Sequence, residues 1–176
     1  GASAWRWDVA RIHQKGFADN VVDLMVRKLR RLSAGTQAAL KLAACVGNST
    51  DLHTLSVISD RSEAQIRSDL GGALREGLLL HMGDGYTFLH DRVQQAAYAL
   101  IEDDKRKAVH LQIGRLLLAS LPARNLYERL FDVVSQLDRG ADLVTDRAEM
   151  DELARLNILA GGKAKRSIAY VSARNY

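Results

Sequence analysis

The chain has 176 residues, of which 47% are apolar and 26% charged, with a formal charge of +4 and an isoelectric point near 9.4. That composition is ample for a hydrophobic core and argues against bulk disorder, and the length suits one full domain or a small domain plus part of another. No apolar stretch approaches the about 20 residues that cross a bilayer, the start has no apolar signal-peptide core, and the single cysteine, Cys45, excludes an intrachain disulfide, so no membrane contact and a reducing, cytoplasmic location are expected.

Residues 1–17 carry Trp5, Trp7, Val9 and Ile12 without a clear period, as a tail that packs either on an upstream domain or on this domain's own core. From Ala18 to Leu32, Val21, Val22, Leu24, Met25, Leu29 and Leu32 recur at helical spacing, with a basic surface formed by Arg27, Lys28, Arg30 and Arg31. Ser33 is a good N-cap for a helix from Ala34 to about Val46, which Gly47-Asn48 ends and in which Cys45 reads as a small core residue. Asp51 caps a short helix, Leu52 to Ser59. Ser62 with Gln65 forms a capping-box pattern opening a helix from Glu63 to Glu76, which Gly77 terminates.

Two short apolar runs, residues 78–82 and 86–89, flank Gly83-Asp84-Gly85 and predict a hairpin. Asp91 is the expected N-cap of the next helix, whose face is Val93, Ala96, Ala97, Leu100 and Ile101. Helical patterns follow over residues 103–121, 124–138 and 146–160, and again from Lys163. The last run reaches Tyr176 with no stop signal, as expected of a piece cut from a longer helical array. The fold class expected is mainly α: a winged helix over residues 18–101, then α-helical hairpins over 102–176 that begin a TPR- or solenoid-like repeat region.

The catalytic patterns sought do not assemble. A phosphate-cradling loop needs glycines at fixed spacing followed by Lys and Ser/Thr, and the nearest approach, Gly161-Gly162-Lys163-Ala164, lacks the first glycine and the hydroxyl. His13, His53, His81, His90 and His110 have no zinc-ligand spacing, so no metal is expected. DNA binding by the helix 63–76 is disfavoured, because Arg67 and Arg75 stand against Glu63, Asp69 and Glu76, and the hairpin turn adds Asp84; phosphate contact calls for a positive reading element. His90, at a strand end, with Asp91 opening a helix, is either an ordinary structural residue or a donor to a phosphate oxygen at a positive helix end.

The segment Phe88-Leu89-His90-Asp91-Arg92-Val93-Gln94-Gln95-Ala96-Ala97-Tyr98, together with residues 19–25, 40–48 and 130–137, resembles the region after the ATPase domain in large bacterial signalling proteins. Those proteins combine a Ser/Thr kinase-like domain, a STAND-type (AAA-related) ATPase, helical repeats, sensor domains and often a histidine kinase. The resemblance runs from about Trp5 to the end. It implies a winged helix that follows a P-loop ATPase. In the apoptotic and plant-resistance branch that unit ends in Met-His-Asp, whose histidine touches the β-phosphate of bound ADP. Leu89-His90-Asp91 is similar, with Leu in place of Met, which implies a nucleotide-sensing role for His90 with Asp91 as its structural partner. On this reading the chain holds no cofactor itself, meets ATP or ADP through the upstream ATPase domain, contacts that domain and other proteins, and is not an enzyme alone. A DNA-binding winged helix of a transcriptional regulator is the alternative.

Overall fold

The computed structural model describes residues 17–174. In chain order the elements are α1 (Phe17–Leu29), α2 (Ala34–Val46), β1 (Ser49–Asp51), α3 (Leu52–Ser59), α4 (Glu63–Arg75), β2 (Leu79–Met82), β3 (Gly85–Phe88), α5 (Asp91–Ala99), α6 (Asp103–Ser120), α7 (Ala123–Leu126), α8 (Leu130–Arg139), a 3-10 turn (Ala141–Leu143) and α9 (Arg147–Arg174). The fold is thus mainly helical with one small sheet, while the tail expected over residues 1–17 lies, up to residue 16, outside the described residues. No described helix is long and apolar enough to cross a membrane.

The chain divides into two compact units: residues up to Thr50 with Ala64–Leu100, and Asp51–Glu63 with residues from Ile101 onward.

In the first unit local chemistry sets the element ends. The Ser33 hydroxyl accepts from the Thr36 amide at 3.1 Å and starts α2. Gly77 takes a left-handed φ of +64°, and the amides of Gly77 and Leu78 reach back to the carbonyls of Leu74 and Ala73 at 3.0 and 2.9 Å, closing α4 in a Schellman arrangement. The hairpin forms with Leu79 opposite Phe88 and Met82 opposite Gly85. A third strand, β1, escapes sequence reading, since three residues display no period; it lies beside β3 in the order β1-β3-β2. Helix α5 packs on α1 and α2, burying Val93, Ala96 and Ala97. Helix α2 meets α4 where the Thr36 hydroxyl donates to the Asp69 carbonyl at 2.6 Å. Gly35, a residue earlier, has no room for a Cβ beside the Asp69 carboxylate.

In the second unit Asp51 caps α3, its carboxylate accepting from the Thr54 amide at 2.6 Å and hydroxyl at 2.7 Å. Helix α3 packs on α6, and α8 packs on both α6 and α9. The core centres on Leu55, Ile113, Leu130, Val133 and Leu156. Residues 124–138 are two helices rather than one. Pro122 opens the short α7, and the Glu128 and Arg129 amides turn back to the Asn125 carbonyl before α8 starts. The stretches read separately as 146–160 and from Lys163 form one helix, α9, through Gly161-Gly162. A helix-interior glycine costs only about 1 kcal/mol, a penalty that flanking contacts offset.

Candidate functional site

His90, not Asp91, is the N-cap of α5. Its backbone is extended (φ −153°, ψ 144°), and its Nδ1 accepts from the Arg92 amide at 3.3 Å. A cap needs non-helical backbone and an acceptor reaching an amide just ahead, and the imidazole nitrogen fills the place usually taken by a Ser or Asp oxygen. Asp91 is instead the first helical residue, where its carboxylate favours the positive end of the helix. Accepting at Nδ1 assigns the neutral ring proton to Nε2. The exposed His90 ring therefore presents an N–H donor beyond its own cap.

Beside this cap is a cavity of about 590 Å³, lined by Val21, Met25 and Lys28 of α1, Gly77 and Leu78 after α4, and Leu89, His90, Arg92 and Val93 around the start of α5. Among the described residues, apolar side chains dominate its lining, Lys28 and Arg92 supply the charge, and no carboxylate lines it. Lys28 is anchored across the unit: its ammonium lies 3.1 Å from the Glu76 carboxylate and donates to the Glu76 carbonyl at 3.0 Å. Arg92 donates to the Gln95 side chain at 2.8 Å. Of the basic surface read on the first helix, Lys28 thus turns into the cavity, while Arg27, Arg30 and Arg31 stay exposed. His90 and Lys28 share this site, and Asp91, though adjacent, does not line it.

The sequence reading did not single out Arg92 or the apolar lining. The nearest signal was the periodic Val21-Leu24-Met25 pattern, which looks like core.

No family model matches the chain, and no solved structure does. The chain is similar to Hybrid signal transduction histidine kinase G of Dictyostelium discoideum, at 28% identity. That alignment covers 98% of this chain and 7% of the relative, so the chain spans only a small piece of the curated protein it matches. The likeness points to a signalling protein.

Lys163, the lysine of the incomplete phosphate-loop pattern, stands on α9 and donates to the carbonyls of Tyr127 and Glu128 at 2.6 and 2.8 Å, while lying 5.1 and 4.8 Å from the ring centres of Tyr127 and Phe131. These contacts tie α9 to the α7–α8 junction and account for the lysine without a phosphate. A second cavity, of about 480 Å³, has Arg129 in its wall, ion-paired to Asp132 at 2.6 Å and donating to the Thr54 hydroxyl at 3.2 Å. Among the described residues no group of His, Cys, Asp and Glu is gathered to hold a metal ion.

Proposed function

We propose that this chain is a non-catalytic regulatory and interaction module of a larger signal-transduction ATPase, one that carries a sensor kinase on the same polypeptide. The observation that carries this reading is the match itself: nearly the whole chain aligns to a small share of a hybrid histidine kinase. The element order supports a winged helix at the start. Helix, strand, helix, helix and hairpin follow one another over residues 34–88, with strand order β1-β3-β2. The helices from α6 onward are the beginning of a helical-repeat region.

In this reading the module couples the nucleotide state of an upstream ATPase domain to output, on the cytoplasmic side. His90 serves as the sensor: its exposed Nε2–H sits at the positive end of α5, where a phosphate oxygen is favoured. Differential contact of a few kcal/mol is enough to shift the population of closed and open states. The test is ADP release from a polypeptide that includes the ATPase domain. His90→Ala should speed release by about tenfold, the worth of one good hydrogen bond to a charged group. An unchanged off-rate rejects the sensor role.

A further inference from the structure

Between α1 and α2 the chain runs through four residues, Arg30-Arg31-Leu32-Ser33, of which Arg30, Arg31 and Ser33 are exposed. The Gln37 side-chain amide pins this turn by donating to the carbonyls of Arg30 and Leu32 at 3.2 and 2.8 Å. Ser33 has an open, non-helical backbone, with φ −58° and ψ 153°. Two guanidinium groups thus stand three and two residues ahead of a serine in an exposed turn. No other Ser or Thr of the sequence has a basic residue at both of those positions. That spacing suits one kind of enzyme. Kinases that choose a hydroxyl by the charge ahead of it set carboxylates against such arginines, in paired hydrogen bonds that place the serine beside the nucleotide.

The hydroxyl of Ser33 is also tied to the packing of the first unit. Thr36 has one hydroxyl hydrogen, which it donates to the Asp69 carbonyl at 2.6 Å, so in the 2.8 Å contact between the two hydroxyls Ser33 is the donor. Ser33 Oγ in turn accepts from the Thr36 amide at 3.1 Å. The half-buried Asp69 carboxylate of α4 stands at the same helix start, filling the space that a Cβ on Gly35 would take. We propose that Ser33 is a phosphorylation site for a serine/threonine kinase that recognises basic residues ahead of its target, and that the modification loosens α2 from α4. In the transfer Ser33 Oγ bonds to the γ-phosphorus of ATP, the bond from that phosphorus to the β–γ bridging oxygen breaks, ADP leaves, and the hydroxyl proton passes to the kinase's carboxylate base. The ester oxygen has no hydrogen left for Thr36, and the phosphate brings a charge of about −2 beside the Asp69 carboxylate. The positive end of α2 and the two arginines attract that charge. Both arginines are in water, however, where such pairs contribute little, and Asp69 already stands against the helix end. Repulsion from Asp69 and the lost donor therefore set the sign. Such a site gives the chain a covalent input separate from any nucleotide bound upstream.

The test is incubation of the full 176-residue chain with magnesium ATP and the catalytic subunit of cyclic-AMP-dependent protein kinase, which has this preference. Peptide mass spectrometry should place a phosphoryl group on Ser33. Arg30→Ala/Arg31→Ala should lower the initial rate of its transfer by at least about tenfold. Ser33→Asn, which keeps a capping side chain, should retain the circular dichroism of the parent and lose the modification. The phosphorylated chain should unfold at least about 3 °C below the unmodified one, and in Asp69→Asn that difference should shrink by at least about half. No transfer to Ser33 under conditions that modify a free peptide of residues 27–37, or an unchanged rate in the double arginine variant, overturns the site. An unfolding midpoint that phosphorylation leaves in place, or lowers equally in Asp69→Asn, overturns the loosening of α2 from α4.

Discussion

In the second unit the imidazole Nδ1 of His110 on α6 and the amide Oε1 of Gln136 on α8 meet at 2.6 Å, and both side chains are buried. An amide oxygen only accepts, so Nδ1 carries the proton. Nε2 is then the acceptor facing the Arg139 guanidinium at 3.5 Å. The ring is held neutral between one acceptor and one cation.

A pH dependence follows from that arrangement. Burial, first of all, pushes the His110 pKa below its ordinary value; the Gln136 contact opposes this, and the Arg139 and Arg106 charges add to the lowering. The unfolded chain therefore binds a proton at His110 more readily than the folded one. The contribution of this site to stability is fully present above the unfolded value near 6.5 and declines as pH falls below it toward the lowered folded value. Urea unfolding midpoints measured from about pH 7.5 down to about pH 5 should fall, and His110→Leu should flatten that fall. Gln136→Leu at neutral pH should cost about 1–3 kcal/mol, because it strands a buried N–H. An identical pH profile in His110→Leu would show that other groups set the acid sensitivity.

Helices α6 and α8 approach through a glycine. A Cβ on Gly114 would stand 2.6 Å from a Leu137 methyl and 3.0 Å from the Leu137 backbone nitrogen. Gly114→Ala should therefore destabilise the protein by about 1–3 kcal/mol, as overpacking of a tight core does. In Gly114→Ala/Leu137→Ala the loss should be less than the sum of the two single losses, since the methyl that clashes is gone. Thermal unfolding of the four proteins measures this coupling, and strict additivity would mean that the helices separate instead of clashing.

Gly161 has the opposite environment. Among the described residues, nothing beyond the backbone of its own helical turns and its chain neighbours lies within 4 Å of the position its Cβ would take. Gly161→Ala should raise helix stability by about 1 kcal/mol, with a higher midpoint in thermal unfolding. A lower midpoint would show that α9 relies on glycine there.

The local punctuation of this fold was legible in the residues. Ser33 and Asp51 cap the helices they precede, Gly77 ends α4, and the Gly83-Asp84 turn joins the two strands of the hairpin. Each of these depends on neighbours within a few positions. What was not legible depends on distant partners or on competing choices. Strand β1 exists because β3 is there to pair with it. His90 won the cap from Asp91 because its backbone remains extended for one more residue. The helical spacing of Val21 and Leu24 looks the same whether they face a core or water, so the cavity appeared only when residues 21, 78 and 92 were brought together. Lys163 matched part of a phosphate-loop pattern, yet its partners are two carbonyls and two rings some thirty-five residues earlier.

Residues 51–63 cluster with the second unit although they interrupt the first in sequence. The polypeptide thus crosses from one folding body to the other and back before it finishes the first. No single cut yields the two pieces intact: truncation after residue 100 leaves α3 without α6, the helix on which it packs. On a ribosome the same order makes α3 wait, its apolar face unsatisfied, until α6 has emerged. The interleaved path makes expression boundaries a matter of contact, not of position along the chain.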